Sequence, residues 1–194
     1  MARASLKAVR SEQILDAYER CVVQFGVEGA GLQKIADEAG MTRSLLRHNI
    51  GNSEDLLKAL VERFLQRGIQ AAGEFDRYLP QEGRIDALLE LLFNPLYRSR
   101  TEDILLYQAL LVAGQTRPGL RSELTQWYDD YVNWALAELS AAFPEQTAAK
   151  LRPTAVAIIA LYFNCDSMAT LTASDADTLF ADGLAAARTL VGCL

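Results

Sequence analysis

The sequence contains few of the residues from which metal and redox sites are built. Among its 194 residues it has one histidine and three cysteines. Cys21, Cys165 and Cys193 are far apart and form no CxxC pair. Because a structural zinc ion needs four Cys or His ligands, no zinc set can be assembled from these side chains. We therefore expect no metal and no cofactor, and the odd, scattered cysteines favour a reducing cytoplasm.

Long apolar runs are absent as well. The longest, residues 155–163, is interrupted by Asn164 and Asp166 and is much shorter than the roughly 20 residues that cross a bilayer. No apolar segment follows the basic first ten residues, so they lack the pattern of a secretory signal. The composition is 51% hydrophobic, which is enough for a substantial core. We expect a folded protein with no membrane partner.

Positive charge is also scarce, because the net charge of the chain is −6. The distribution is uneven: residues 1–52 carry seven basic and six acidic side chains, and the acidic excess lies in residues 53–194. The first nine residues predict a disordered basic arm. Lys7 in this arm and Arg10 just after it would either contact phosphates or be solvated. Phosphate binding needs only a local basic surface, so this composition does not exclude DNA.

Residues 31–55 predict two short helices joined by a tight turn and followed by a longer helix. Apolar residues recur at i, i+3, i+4 and i+7 from Leu32, which gives the first helix one apolar face. Gly40 ends that helix, because glycine accepts the left-handed conformation found at many helix C-termini. Thr42 is a good N-cap for a second helix over about residues 43–49. Asn52 and Asp55 have the spacing of a capping box for the third.

This arrangement is typical of a helix-turn-helix that reads the DNA major groove. The second helix presents cationic and hydrogen-bonding side chains, and the first helix and the N-terminal arm add further polar groups. The candidate DNA contacts are Lys7, Arg10, Gln33, Lys34, Thr42, Arg43, Ser44, Leu45, Arg47 and His48. An ordinary turn between packed helices is the alternative. His48 has no acid or nucleophile near it in sequence, so a catalytic role is not expected.

Residues 14–60, ILDAYERCVVQFGVEGAGLQKIADEAGMTRSLLRHNIGNSEDLLKAL, resemble the TetR family of bacterial transcriptional regulators. The resemblance covers about a quarter of the chain and needs no gap. Its most telling pieces are Ile35-Ala36 with Ala39-Gly40, Met41-Thr42-Arg43, and Glu54-Asp55-Leu56-Leu57. The resemblance implies a homodimer joined through its last two helices and a palindromic operator. It also implies a small-molecule effector that changes the distance between the two helix-turn-helix domains of the dimer.

The sequence departs from the family pattern at several customary DNA contacts. Arg47, Asn49 and Ile50 stand where members usually have Tyr, Tyr or His, and Phe. Gly31 and Ser53 replace a common threonine and a common lysine. Arg47 could replace the tyrosine hydroxyl with a stronger, charged donor. The departures bear on the individual DNA contacts rather than on the fold.

The rest of the chain predicts helices over about residues 53–77, 82–93, 101–115, 118–143, 153–172 and 174–192, with Ser174 and Asp177 capping the last. Aromatic residues in this part are suited either to a core or to an apolar cavity with a few polar groups. The candidate ligand contacts are Tyr97, Tyr107, Gln108, Trp127, Tyr131, Tyr162, Asn164 and Asp166. Each buried polar side chain among them is satisfied internally, used at a subunit interface or directed at a ligand.

The sequence thus predicts an all-α protein with two domains. Residues 1–52 form a three-helix helix-turn-helix domain, and residues 53–194 form a helical effector-binding and dimerisation domain. The expected function is that of a TetR-type transcriptional repressor. Its expected partners are double-stranded operator DNA, a small-molecule effector and a second copy of the same chain. The alternatives are an enzyme or small-molecule-binding protein that does not bind DNA, and a helical interaction module. No acid–base pair supports an enzyme.

Overall fold

A computed structural model describes residues 2–172 and 175–194, with side chains from Lys7 onward. All regular secondary structure in these residues is helical, which confirms the all-α prediction. The helices are α1 Ala2–Gly29, α2 Leu32–Glu38, α3 Arg43–Ile50, α4 Ser53–Tyr78, α5 Arg84–Leu92, α6 Thr101–Gly114, α7 Pro118–Ala142, α8 Ala148–Ala169 and α9 Ala176–Gly192, with a short 3-10 helix at Pro95–Tyr97. Among the described residues, no helix is both long enough and apolar enough to cross a membrane.

The chain divides into two compact units. The first contains Met1–Gly68 and Leu105–Leu124, and the second contains Ile69–Ile104 and Thr125–Leu194. The divisions fall within α4, α6 and α7 rather than between helices. The predicted domain boundary at residue 52 concerns function and stays a prediction.

In the first unit, α1, α2 and α3 pack around a small apolar core. One apolar stripe of α1 supplies Ile14, Tyr18, Cys21 and Val22, all buried, and α2 and α3 add Ile35 and Leu46. Phe25, which continues the spacing of this stripe, is 44% exposed. The stripe ends there because Gly26 has φ 71° and interrupts the helical geometry.

In the second unit, α8 and α9 pack against each other over a large apolar core. Helices α5 and α7 complete it, and its fully buried members include Leu88, Leu139, Ile158, Ile159 and Phe180. A Cβ atom added at Gly183 would lie 2.7 Å from the Cys165 Sγ and 2.8 Å from the Phe93 Cδ1. Glycine is therefore required for α9 to approach its neighbours this closely.

Two helix starts differ from the prediction, and one predicted cap cannot be compared. Residues 2–9 are helical and extend α1 instead of forming a disordered arm. Helix α8 starts at Ala148, five residues before Pro153. Proline at an interior position removes one helical hydrogen bond, and this helix tolerates the loss near its N-terminus. Ser174 lies outside the described residues, and Asp175 stands at the N-cap of α9 without a side-chain cap hydrogen bond.

Candidate nucleic-acid interface

The turn between α2 and α3 has the predicted geometry. Gly40 adopts φ 64°, and the backbone N–H of Met41 donates to the Ala36 carbonyl over 2.9 Å. The hydroxyl oxygen of Thr42 accepts the backbone N–H of Leu45 over 3.3 Å, so Thr42 is the N-cap of α3. These two features set where α2 ends and where α3 begins.

Helix α3 has one buried side and one exposed polar side. Leu46 is fully buried, and Leu45, a candidate DNA contact, is half-buried. Asn49 is also buried, and its amide donates to the Leu45 carbonyl over 2.7 Å. Four of the candidate contacts are exposed on the other side: Arg43, Ser44, Arg47 and His48. The helix contains no carboxylate, so its exposed side carries positive charge inside an acidic protein.

The other candidate DNA contacts are less uniform. Lys7 is exposed on α1, and Arg10 is half-buried. Gln33 is exposed, and its amide donates to Asp37 over 2.8 Å on the same helix. The Lys34 ammonium lies 4.1 Å from the centroid of the Phe25 ring and donates to the Gly29 carbonyl over 3.0 Å. Lys34 thus binds the last turn of α1, a contact that also accounts for the exposed position of Phe25.

An ion-pair network that the sequence analysis missed joins α1 to α4 in the first unit. Arg67 donates two hydrogen bonds of 3.0 Å to one oxygen of Glu19. Arg63 lies 2.5 Å from Asp16, 3.2 Å from Glu19 and 3.5 Å from Glu12. The signal was present, since the acids recur at spacings of four and three and the arginines at four, which places each set on one helix face. The network positions α1 without using a cation of α3.

Aromatic side chains of α7 and α8 form a cluster around Phe163 in the second unit. The Phe163 ring centroid lies 5.4 Å from that of Trp127, 5.5 Å from that of Tyr162, 5.7 Å from that of Tyr131 and 5.9 Å from that of Tyr128. Trp127 and Tyr131 also pack edge to face at 5.1 Å. Trp127 and Tyr162 are buried, whereas the other three rings are half-buried. The structure thus brings three candidate ligand residues together.

A buried carboxylate lies next to this cluster. Asp166 is 3% exposed, and its oxygens accept the Ser99 backbone N–H over 3.2 Å and the Ser99 hydroxyl over 2.5 Å. Burial raises the pKa of Asp166, while the hydrogen bonds from Ser99 and Tyr162 oppose that effect. Burial, together with the Asp166 charge, raises the pKa of Tyr162 and raises that of Tyr131 to about 12. Ser99 is 67 residues away from Asp166 in sequence, so no local sequence pattern predicts their hydrogen bond.

Four further candidate ligand residues are Tyr97, Tyr107, Gln108 and Asn164. Tyr97 is 51% exposed at the end of the 3-10 helix. Tyr107 and Gln108 belong to the first unit, where the Tyr107 ring stacks on Phe64 with centroids 6.1 Å apart. Gln108 and Asn164 are exposed. Of the three polar candidates, only Asp166 is buried and satisfied internally. A role in ligand binding stays a prediction for all eight residues.

The comparisons with known proteins agree with this arrangement. No protein-family model matches the chain. It is 24% identical over 88 residues to the HTH-type transcriptional repressor AcnR of Corynebacterium diphtheriae, covering 45% of this chain and 43% of that protein. It is 34% identical over 86 residues to the HTH-type transcriptional regulator PksA of Bacillus subtilis, covering 43% and 42%. The chain thus spans less than half the length of these two relatives.

The structural likeness extends along nearly the whole chain. A TetR transcription regulator from Haloarcula marismortui superposes with a TM-score of 0.70 at 19% identity, covering 96% of this chain and 98% of that one. The likeness therefore includes both the helix-turn-helix and the long C-terminal helices, and not only the segment that matches in sequence. The chain has the fold of the TetR family of transcriptional regulators.

Proposed function

We propose that the protein is a TetR-type transcriptional regulator that binds a palindromic operator as a homodimer and is released by a small-molecule effector. In this role it represses transcription in the cytoplasm, and it is not an enzyme. The single observation that carries the proposal is the exposed, acid-free face of α3, which starts at a defined N-cap and presents two arginines, a serine and a histidine.

That face suits the major groove. An α-helix fits into the groove, arginine can donate two hydrogen bonds to guanine, and serine and histidine can add shorter contacts. The two residues that fix the other side of α3, Leu46 and Asn49, are buried, so the helix can be held rigidly while its exposed side meets the bases. Arg10 and Lys7 on α1 precede α3 in sequence and belong to the same unit. Their side chains would contact DNA phosphates.

The proposed dimer uses the exposed sides of α8 and α9. Val156, Ala160 and Met168 lie four or eight residues apart on α8 and are exposed, and Leu171 after it is 77% exposed. On α9 the exposed residues include Ala181, Ala185 and Ala186. Small and apolar side chains let two such helix pairs approach closely and form an isologous four-helix interface. The two helix-turn-helix domains of such a dimer would contact two equivalent half-sites, so the operator would be palindromic.

The experiment that tests the proposal is selection of bound duplexes from random DNA at fixed salt, repeated at higher salt. We expect a palindromic sequence to be enriched, with an affinity that falls as salt rises because counterions are released. Enrichment of no sequence would contradict the proposal and would favour a helical small-molecule-binding protein that does not bind DNA.

Arginine variants of α3 make the test residue-specific. We expect Arg43→Ala and Arg47→Ala each to weaken operator binding by about 1–3 kcal/mol if the side chain reads a base, with relaxed specificity at one position. An arginine that contacts only phosphate would weaken binding to all sequences and reduce the salt slope by about one unit. Arg77→Ala, which removes an exposed arginine at the end of α4, is the matched control and should bind normally. Unchanged binding by both α3 variants would refute the docking.

A further inference from the structure

The last turn of α1 holds the side chain of Lys34 from α2 by two contacts. Gly26 has φ 71°, and this kink separates the last turn from the rest of α1. The Gly29 carbonyl in that turn accepts the Lys34 ammonium over 3.0 Å, and the same ammonium lies 4.1 Å from the centroid of the Phe25 ring. The last carbonyls of a helix have no partner within it, and a cation binds them favourably. Lys34 thus joins α2 to α1 through a hydrogen bond and a cation–π contact.

The direction of α2 depends on contacts near its two ends. The helix is seven residues long, and its N-cap, Gly31, has no side chain that could cap it. Apolar packing is non-directional, and the buried residues of α2 are all apolar: Leu32, Ile35 and Ala36. At the C-terminal end, Glu38 pairs with Arg20 of α1 over 2.6 Å. Lys34 supplies the directional contact near the N-terminal end.

The direction of α2 in turn determines how α3 faces DNA. The two helices are joined by the tight turn at Gly40, and the Met41 N–H donates to the Ala36 carbonyl over 2.9 Å. Rotation of α2 on α1 would therefore carry α3 with it. An arginine that reads guanine must place two donors within hydrogen-bond distance of the base, whereas electrostatic attraction to phosphates tolerates a small rotation. A loosened α2 would thus lower the affinity for one sequence more than the affinity for DNA in general.

We propose that Lys34 is a positioning residue for operator recognition, which acts by fixing α2 to the last turn of α1 rather than by contacting a phosphate. This inference rests on the proposed function, because it concerns how α3 is directed at the operator. The Lys34 charge lies over the Phe25 ring. Loss of the ring should therefore weaken operator recognition although no charge is removed from α2.

The test is a titration of the full chain with two DNA duplexes of equal length, the selected one and a scrambled one, at several salt concentrations. Lys34→Met keeps the apolar stem and removes the ammonium. We expect it to lower the affinity for the selected duplex about tenfold, because both contacts with α1 are lost. The affinity for the scrambled duplex should change by less than about twofold, and the salt slope should stay the same. Phe25→Leu should lower the affinity for the selected duplex about threefold.

Three further variants make the assignment specific. Lys34→Arg should retain operator affinity, because a guanidinium can donate to the Gly29 carbonyl and lie on the Phe25 ring. The double variant of Lys34→Met and Phe25→Leu should bind as weakly as Lys34→Met alone, since both changes remove the same contact. Lys150→Met, which removes an exposed lysine of the second unit, is the matched control and should bind normally. Circular dichroism at the temperature of the titration shows whether each variant is folded.

A phosphate contact by Lys34 would give a different pattern. Lys34→Met would then weaken binding to both duplexes alike and reduce the salt slope by about one unit, and Phe25→Leu would bind normally. That pattern, or a folded Lys34→Met protein with full operator affinity, would overturn the inference and leave the regulator intact. Failure of the unaltered protein to select any duplex would refute the regulator and, with it, a role of Lys34 in operator recognition.

Discussion

Each unit combines an apolar core with ion pairs, and two different kinds of contact illustrate how helices are joined within them. In the first, charged residues join α1 to α4, since Arg63 and Arg67 pair with three acids of α1. In the second, α8 and α9 share an apolar core in which Phe180, Ile158 and Ile159 have no exposed surface. Ion pairs are weakened by salt, and each can be removed by a single substitution. An apolar core is densely packed, so its stability depends on the shape of each side chain. Variants of each unit should therefore fail in different ways.

The largest effect is expected from a charge placed on the exposed side of α8. Met168 is 38% exposed in a single chain, and in the proposed dimer it would lie against the partner. We expect Met168→Glu to give monomers with an unchanged helix content and at least a hundredfold weaker operator binding, because like charges buried in an interface cost several kcal/mol. Analytical ultracentrifugation against the 21.4 kDa chain mass measures the first, and a gel-shift titration the second.

Ala137→Glu is the control, since it adds the same charge at an exposed position of α7. Ile159, which the apolar pattern of α8 also suggests as an interface position, is fully buried within its own unit. A charge there would unfold the protein and say nothing about the dimer. Met168→Glu that remains dimeric would place the interface elsewhere.

The next largest effect is expected at Gly183, where α9 packs most closely against its neighbours in the second unit. We predict that Gly183→Ala lowers the free energy of unfolding by about 1–3 kcal/mol, because its Cβ would clash with Cys165 and Phe93. Gly73→Ala is the matched control, since Gly73 lies within α4 with nothing within 4 Å of an added Cβ. It should stabilise the protein by about 0.5–1 kcal/mol. Urea unfolding of both proteins measures the contrast, and equal stabilities would mean that α9 can move aside at little cost.

In the first unit, removal of one arginine should have a smaller effect that depends on salt. Glu19 is nearly buried, with an 11% exposed side chain, and Arg67→Ala would leave it with Arg63 alone. We expect a loss of about 1–2 kcal/mol in unfolding free energy, because a partly buried charge loses a hydrogen-bonded partner. The loss should shrink at high salt, which screens exposed pairs, whereas the Gly183→Ala loss should not. The double variant with Glu19→Gln should recover part of the stability.

The sequence predicts features that depend on local chemistry better than features that depend on packing. Gly40, Thr42 and the Asn52–Asp55 box are predicted correctly, whereas the helical residues 2–9 of α1 are not. The prediction that α8 begins at Pro153 is wrong, because this helix accommodates the proline in its second turn. Local rules describe what a residue prefers, and a long packed helix can override that preference.

Contacts between distant segments were beyond the sequence for the same reason. Ser99 and Asp166 are 67 residues apart, and nothing in either local pattern connects them. Lys34 is a candidate DNA contact, and its hydrogen bond to the end of α1 depends on how α2 returns towards α1 after Gly31. The sequence therefore predicts which residues have the right chemistry, whereas packing decides which of them meet.

The smallest effect is expected at the cap of α3, where stability and function can be separated. Thr42→Ala removes the hydroxyl that accepts the Leu45 N–H, which should cost about 1 kcal/mol in unfolding free energy. Operator affinity should fall further than this stability loss explains, because the first turn of α3 carries Arg43 and Ser44 and would fray. Thr42→Ser keeps a capping hydroxyl and should retain both properties. If Thr42→Ala loses stability and keeps full operator affinity, the first turn of α3 does not need to be ordered before it meets DNA, and the exposed arginines act as mobile charges rather than as a fixed reading surface.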